Sequence, residues 1–522
     1  MDFNSFVYNN RFDHNVPIVL GIAKVEFRIC ASDEGEFGFD WFRVGDNGDN
    51  AFSKIVAQSQ LNLLENEYER FTLLTPEHEI YYVPYLCLFA PETVQKENQG
   101  VCEAKLSMRI KTFGEVEKIV FDYDKELLSV DVGNEEASVL TGKDINAIAD
   151  YNLERFVRIR CIAKGDGFDD AQEIKVWAYP KEKHGAVSAT HSNEHSEEGI
   201  KDEEGKFFTQ DTKGDAKETN KIEKEKEIKE ARKVLAGKIL LPANSKRYRW
   251  KIKVVIIAVM TNIEDDPNEK NSTDGPSDAE LSRLKKTFNH SLTLVEIEEE
   301  IKTLDLSENK DFKITKDKNG NDVFGRFIFH KGVDNVLNSE DYVDRRILED
   351  RENFFKELRR LFFEQKGNEK YKNYYMAFYF AESTYDTYSL PDGKGHKTLA
   401  QTEGLNTKAV AVFNDAKDID LTHEMLHCCG LRHPFSEKNW ILFEKHMTDN
   451  IMDYVKPHEA DEPVEKTKVF TWKWQWRIVN PRLNVNVKGK KQATNKETTP
   501  QKNTSSAKKP TNRTATAPNR NK

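Results

Sequence analysis

The segment DIDLTHEMLHCCGLRHPF, residues 418–435, carries the densest functional pattern in the chain. His423 and His427 are four residues apart, so on an α-helix both imidazoles lie on one face, one turn apart. Glu424 is displaced by about 100° around such a helix, and its carboxylate is therefore expected to reach water rather than a metal held by the two histidines. The spacing predicts a metal-binding helix.

Gly430 is expected to end this helix, because a left-handed residue after a helix is favourable only for glycine. The chain can then reverse and bring His433 to the same point. Three imidazoles can hold Zn²⁺ at about 2.0–2.1 Å, and three protein ligands leave one position open, as in catalytic sites. The sequence therefore predicts zinc as the cofactor, bound by His423, His427 and His433.

A second motif, NIMDYV at residues 450–455, follows the third histidine. The pattern HExxHxxGxxHP followed by MxY resembles the metzincin zinc metalloproteases, and it is most similar to their serralysin and astacin branches. This resemblance implies the three histidines as ligands and Glu424 as general base. It also implies Met452 as the hydrophobic floor of the site, and Tyr454 as an additional ligand or a donor to the tetrahedral intermediate.

Two further histidines, His446 and His458, flank the Met-turn motif and are alternatives to the third ligand. His433 is better placed, because it follows the helix at the family's spacing. The calcium-binding glycine repeats that serralysins carry are not found in the sequence, which separates the chain from that branch. A zymogen arrangement in which Cys102 or another thiol caps the zinc is an open alternative.

The 522 residues are too many for one hydrophobic core, so a multidomain chain is expected. Residues 1–182 contain short β-branched and aromatic runs between turn residues, which predict a β-rich, sandwich-like region of one or two small domains. Residues 183–235 read as a charged linker. Residues 236–485 are predicted to form an α/β (α+β) metzincin-type zinc peptidase domain. Residues 486–522 are predicted to be a disordered basic tail.

Several elements are predicted inside the peptidase region from apolar periodicity and turn signals. They are a buried strand over 250–262, a helix with Ser277 as N-cap, a hairpin turning at Asn319–Gly320, a helix over 349–365, and a strand over 408–414. The last is expected to be an edge strand that pairs with an extended substrate. The segment TWKWQWRIVNP, residues 471–481, predicts a helix packing under the site, although its alternating tryptophans also fit a strand.

Composition limits the partners. The net charge of −10 argues against nucleic-acid binding, and no segment has the length and apolarity of a membrane span. The first residues lack a basic n-region, so we expect no cleaved signal peptide and synthesis in the cytoplasm. Residues 34–46 and 235–259 resemble segments that accompany bacterial type VI secretion effectors. That resemblance implies export by a dedicated secretion apparatus, engaged through the N-terminal region.

The leading hypothesis is a zinc endopeptidase whose substrate is a protein or peptide, delivered as an effector or toxin. One alternative is an intracellular processing protease whose N-terminal region recruits substrates. Another is a non-enzymatic binding or adhesion protein with an inert metzincin-like domain. The intact Glu424 favours an enzyme over that last alternative.

Overall fold

The longest apolar runs of the sequence form the strands of three main sheets. The computed structural model describes residues 21–30, 32–43, 58–132, 138–141, 145, 155–181, 233–263, 270–327, 330–331, 343–344, 351–382, 384–386, 396–414, 416–454 and 469–483. The segment predicted as a charged linker, up to residue 232, and the segment predicted as a disordered tail, residues 486–522, are outside these residues.

The helices are α1 Gln58–Glu65, α2 Pro91–Glu97, α3 Asp278–Asn289, α4 Arg351–Glu364, α5 Asp420–Cys428 and α6 Lys473–Val479. The strands are β1 Ile22–Ile29, β2 Gly38–Asp40, β3 Arg70–Thr72, β4 Ile80–Tyr82, β5 Tyr85–Cys87, β6 Glu103–Phe113, β7 Val116–Asp122, β8 Leu128–Val132, β9 Val139–Thr141, β10 Arg155–Cys161, β11 Gln172–Pro180, β12 Val234–Leu241, β13 Trp250–Met260, β14 Thr293–Ile297, β15 Lys302–Asp305, β16 Ile314–Lys316, β17 Asp322–Phe324, β18 His330–Lys331, β19 Val343–Asp344, β20 Tyr375–Phe380, β21 Thr384–Asp386, β22 His396–Thr398, β23 Ala400–Thr402 and β24 Ala409–Val412. No described helix has the length and apolarity needed to cross a membrane.

Two sheets form the N-terminal part of the structure. Strands β1, β6, β10 and β8 make a four-stranded antiparallel sheet, and β2, β5, β12, β11, β7 and β9 make a six-stranded sheet. Alternate residues of β6, including Leu106 and Met108, are buried, as expected for a strand with one face on a core. The ring centroids of Phe27 in β1 and Phe121 in β7 are 6.4 Å apart, and both sheets contribute to one apolar cluster. The prediction of a β-rich N-terminal region is confirmed.

Strand β12 belongs to the N-terminal sheet. It pairs antiparallel with β11 over residues 234–241 and meets β5 through the Leu240–Tyr85 pair. The boundary predicted at residue 236 therefore falls inside a strand of this sheet. The apolar run of β12, which was predicted to belong to the peptidase region, instead completes the N-terminal sheet.

A third sheet, in the order β14–β13–β20–β24–β23, has helices on both faces. Its first four strands are parallel, and β23 is antiparallel. Val255 and Ile257 of β13 share a cluster with Phe355 of α4. Val254 shares another with Met425 of α5, since successive side chains of a strand point to opposite faces. Strands buried on both faces explain the continuous apolar run of β13.

The predicted buried strand, the Ser277-capped helix, the hairpin and the helix over 349–365 are confirmed. Ser277 Oγ accepts a hydrogen bond from Glu280 N at 3.1 Å and completes a capping box. The prediction that residues 408–414 form the edge strand is wrong, because β24 lies between β20 and β23. The edge is β23, whose sequence Ala-Gln-Thr is too short and too polar to be recognised as a strand.

Helix α6 contains the tryptophan-rich segment, which settles the choice between helix and strand. Trp472 and Trp476 are fully buried and Trp474 is 5% exposed. Their cluster includes Phe42 and Tyr85 from the N-terminal part of the chain. The tryptophans therefore pack in a core to which residues from both ends of the chain contribute.

Buried His290 is expected to make stability depend on pH. Its Nδ1 lies 3.0 Å from Thr471 Oγ1, its Nε2 lies 2.9 Å from Gly35 O, and burial lowers its pKa to about 4. Between pH about 6.5 and about 4 the unfolded chain therefore binds a proton that the folded chain excludes. The free energy of unfolding is expected to be highest above this window and to fall as the pH falls through it, by up to about 1.4 kcal/mol per unit.

Urea unfolding with chelator, at several pH values across this window, measures the slope. The matched variant is His290→Gln, whose slope should be smaller because the other histidines contribute equally to both proteins. Equal slopes would show that His290 is not the group responsible.

Candidate metal centre

Helix α5 carries two of the predicted ligands, and its apolar side fixes its orientation. Leu421 and Met425 are buried in a cluster with Val410 of β24. His423 follows Leu421 by two residues, and His427 follows Met425 by two. Two residues correspond to a rotation of about 200° around the helix axis. Packing of the apolar side against the sheet therefore directs both imidazoles to the opposite side.

The three predicted metal ligands converge. The Nε2 atoms of His423 and His433 are 3.1 Å apart, and those of His427 and His433 are also 3.1 Å apart. The ligand atoms of the three residues all lie within 4.8 Å of one another. This group could hold a metal ion.

Backbone carbonyl groups orient two of the imidazoles. His423 Nδ1 lies 3.1 Å from Ile451 O, and His427 Nδ1 lies 2.6 Å from Leu431 O. A carbonyl only accepts, so each Nδ1 carries the proton and each Nε2 presents a lone pair. The Nε2 lone pairs of His423 and His427 both face Nε2 of His433 at 3.1 Å. The donor set therefore fits a divalent metal that prefers imidazole nitrogen.

Burial keeps the His423 and His433 imidazoles uncharged. Desolvation, followed by the neighbouring histidines, lowers the pKa of His423 well below its usual value. Desolvation, followed by His427 and Lys445, lowers the pKa of His433 to about 3. Metal binding needs neutral imidazole, and these side chains are neutral at physiological pH without assistance from the metal.

Gly430 ends helix α5 with φ of +100°, and its N–H donates to His427 O at 2.8 Å. A Cβ added there would lie 2.6 Å from Asn406 Oδ1. Gly430→Ala is therefore expected to lower the free energy of unfolding by about 1–3 kcal/mol, measured by urea denaturation. Gly320→Ala is the matched control, because φ there is +84° with no atom near the added Cβ. Its loss should be smaller, and equal losses would contradict a role for the Asn406 contact.

Glu424 and Tyr454 lie beside the imidazoles. Glu424 is half-buried on α5. The Tyr454 ring centroid lies 4.7 Å from that of His433 and 6.0 Å from that of His423, and 41% of the residue is exposed. Desolvation and then the negative charge of Glu424 raise the pKa of Tyr454 to about 12. Its phenol therefore stays protonated and can donate a hydrogen bond.

Met452 is fully buried in the turn formed by residues 448–454. Its N–H donates to Asn450 Oδ1 at 3.0 Å. The amides of Asn450 and Gln475 bond reciprocally at 2.8 and 3.2 Å, which attaches the turn to α6. Asp453 Oδ2 accepts from Thr448 N and Oγ1 at 2.9 and 2.8 Å. No sequence pattern predicted these supporting residues, because each acts through a partner that only the fold brings near.

An aromatic wall borders His433. Phe435 stacks on the His433 ring with centroids 4.8 Å apart and an interplanar angle of 6°. Phe435 also lies 5.1 Å from the Tyr454 ring. The Lys445 ammonium lies 5.3 and 4.9 Å from the Phe435 and Tyr454 centroids. These contacts restrict the imidazole that has no described carbonyl partner of its own.

The alternative ligands are placed differently. His446 Nδ1 lies 3.1 Å from Tyr454 O, and His446 is not a member of the histidine group. Among the described residues, Cys102 does not join that group either. His458 lies outside the described residues. No protein-family model, curated protein or solved structure matches the chain.

Proposed function

We propose that the chain is a zinc-dependent endopeptidase of the metzincin type, with His423, His427 and His433 as its metal ligands. One observation carries the proposal. The Nε2 atoms of the three imidazoles meet at one point, two of the rings are held by carbonyls, and a carboxylate lies next to the first ligand in the same helix.

The chemistry divides between the metal and the chain. When bound, zinc would lower the pKa of water toward about 7 and polarise a carbonyl group. Glu424 accepts a proton from the attacking water and passes it to the leaving amine. Its position one residue after the first ligand suits that role, because consecutive side chains of a helix are about 100° apart, so the carboxylate follows the ligand without sharing its direction.

Tyr454 and Met452 complete the proposal. The neutral phenol of Tyr454 donates a hydrogen bond to the oxyanion of the tetrahedral intermediate, and its exposure leaves it free to reach substrate. Met452 supplies an apolar floor, consistent with its full burial.

The substrate is an extended segment of protein or peptide. In the described part of the chain, β23 at Ala400–Thr402 has a neighbouring strand, β24, on one side and forms the edge of the sheet. Main-chain groups at such an edge can pair with an added strand. A segment bound this way continues past both ends of β23, which favours cleavage inside a chain.

Incubation of the full chain and one equivalent of zinc with a peptide library, followed by mass spectrometry, tests the proposal. We expect internal cleavage that stops with a chelator and returns with zinc. A folded protein that binds zinc but cleaves no library member or denatured protein would contradict the enzyme and support the binding-protein alternative.

A further inference from the structure

Arg43 is a fully buried charge far from the metal ligands in sequence. Its Nη1 donates to Asp40 Oδ1 at 2.8 Å, and its Nε donates to Asp449 Oδ2 at 2.8 Å, across 406 residues. The guanidinium stacks 3.9 Å from the Trp41 ring centroid. The side chain is 0% exposed, so it is held by charge-assisted bonds and by an aromatic face in a site without bulk water.

Asp40 extends the same connection to helix α6. Its Oδ2 accepts from Lys473 N at 2.8 Å and from Tyr68 Oη at 2.5 Å. Asp40 is therefore bonded at once to Arg43, to Tyr68 and to the first turn of α6. The segment Gly38–Arg43 is bonded to the start of the helix whose Gln475 holds the 448–454 turn.

Asp449 connects Arg43 to the metal site. Its Oδ1 accepts from Trp472 Nε1 at 3.3 Å, which fixes the carboxylate from a second direction. Two residues later, Ile451 N donates to Phe470 O at 2.8 Å, and Ile451 O faces His423 Nδ1 at 3.1 Å. Asp449 is thus bonded to Arg43 and to Trp472 two residues before the carbonyl that orients the first ligand.

We infer that Arg43 is a positioning residue of the metal site, acting through Asp449 and the Ile451 carbonyl on His423. The N-terminal segment is thereby a structural component of the centre as well as part of the N-terminal sheet. The inference rests on the metal centre of the proposed function but does not depend on peptide hydrolysis. Groups that orient metal-bound histidines typically change metal affinity by about 10–100-fold.

The test compares variants of the full chain with the wild-type protein. Chelator competition measures zinc affinity, and the visible spectrum of the Co²⁺ form reports the geometry of the metal site. Asp449→Asn leaves one carboxamide oxygen for two donors, Arg43 Nε and Trp472 Nε1, and we expect about 10-fold weaker zinc binding and a changed Co²⁺ spectrum. Arg43→Lys, which keeps the charge but loses the fork geometry, should give a change in the same direction.

Arg477→Met is the matched control. Arg477 Nη2 donates to Glu67 Oε2 at 2.9 Å, so it also joins α6 to the N-terminal part of the chain, but through Glu67. Its metal-free melting temperature should fall less than that of Asp449→Asn, because the Arg477 side chain is 36% exposed and that of Arg43 is 0% exposed, while its zinc affinity and Co²⁺ spectrum stay unchanged.

The inference is overturned if Asp449→Asn keeps wild-type zinc affinity, or if Arg477→Met weakens zinc as much. Because Asp449 is 26% exposed, its Asn variant is the one expected to fold even where Arg43→Lys does not. Failure of the wild-type protein to bind zinc is a separate outcome, which removes the proposed function as well.

Discussion

Glu424→Gln is expected to lower kcat/KM for a cleaved peptide by about 10³-fold, because positioned acid–base groups contribute about 10²–10⁴-fold. Glutamine has the shape of glutamate, but it cannot accept the proton from water or return it to the amine. The three imidazoles are untouched, so zinc content should remain at the wild-type value. The loss should appear in kcat more than in KM, since proton transfer belongs to the transition state.

Steady-state kinetics with the best library peptide, together with metal analysis of the same preparation, measures both quantities. Glu444→Gln is the matched control, because Glu444 is an exposed glutamate in the connection between the third histidine and the 448–454 turn. It should behave as wild type. Activity of Glu424→Gln within a few-fold of wild type would exclude Glu424 as the general base.

His433→Ala is expected to weaken zinc binding by more than about 100-fold, because the change removes a ligand rather than a group that only orients one. The remaining two imidazoles cannot close a tetrahedral site without added water. Hydrolysis should be lost in parallel at low zinc. Competition with a fluorescent chelator gives the affinity, and circular dichroism checks that the sheets remain formed.

His446→Ala supplies the control for this change. His446 is the neighbouring histidine that the sequence left as an alternative ligand, and its Nδ1 faces a carbonyl of the turn instead of the cluster. Its zinc affinity should change little. A larger loss in His446→Ala than in His433→Ala would reverse the assignment of the third ligand.

The local part of the site could be predicted from the sequence because its geometry follows from helix periodicity. The spacing of His423 and His427, and a glycine able to adopt φ of +100° before His433, are sufficient to bring the imidazoles together. The burial of β13 was predictable for the same reason, since a continuous apolar run identifies a strand covered on both faces.

Other parts depend on contacts between distant segments. The edge position of β23 follows from the pairing order of five strands, which no single strand encodes. Arg43 could not be assigned to the site because its partner Asp449 is 406 residues away and both look like ordinary surface charges in sequence. The carbonyls of Leu431 and Ile451 carry no side-chain signal at all.

Strand β12 has a consequence for the integrity of the molecule. It pairs antiparallel with β11 through backbone hydrogen bonds, and β11 ends at Pro180 while β12 begins at Val234. Proteolytic cleavage between residues 182 and 232 would therefore break the covalent chain, but the two fragments would stay associated through the hydrogen bonds between β11 and β12. Such a nicked particle would migrate as two bands under denaturing conditions and as one species under native conditions. A recombinant fragment started at residue 236, by contrast, would begin partway along β12 and would lack both strands that flank it.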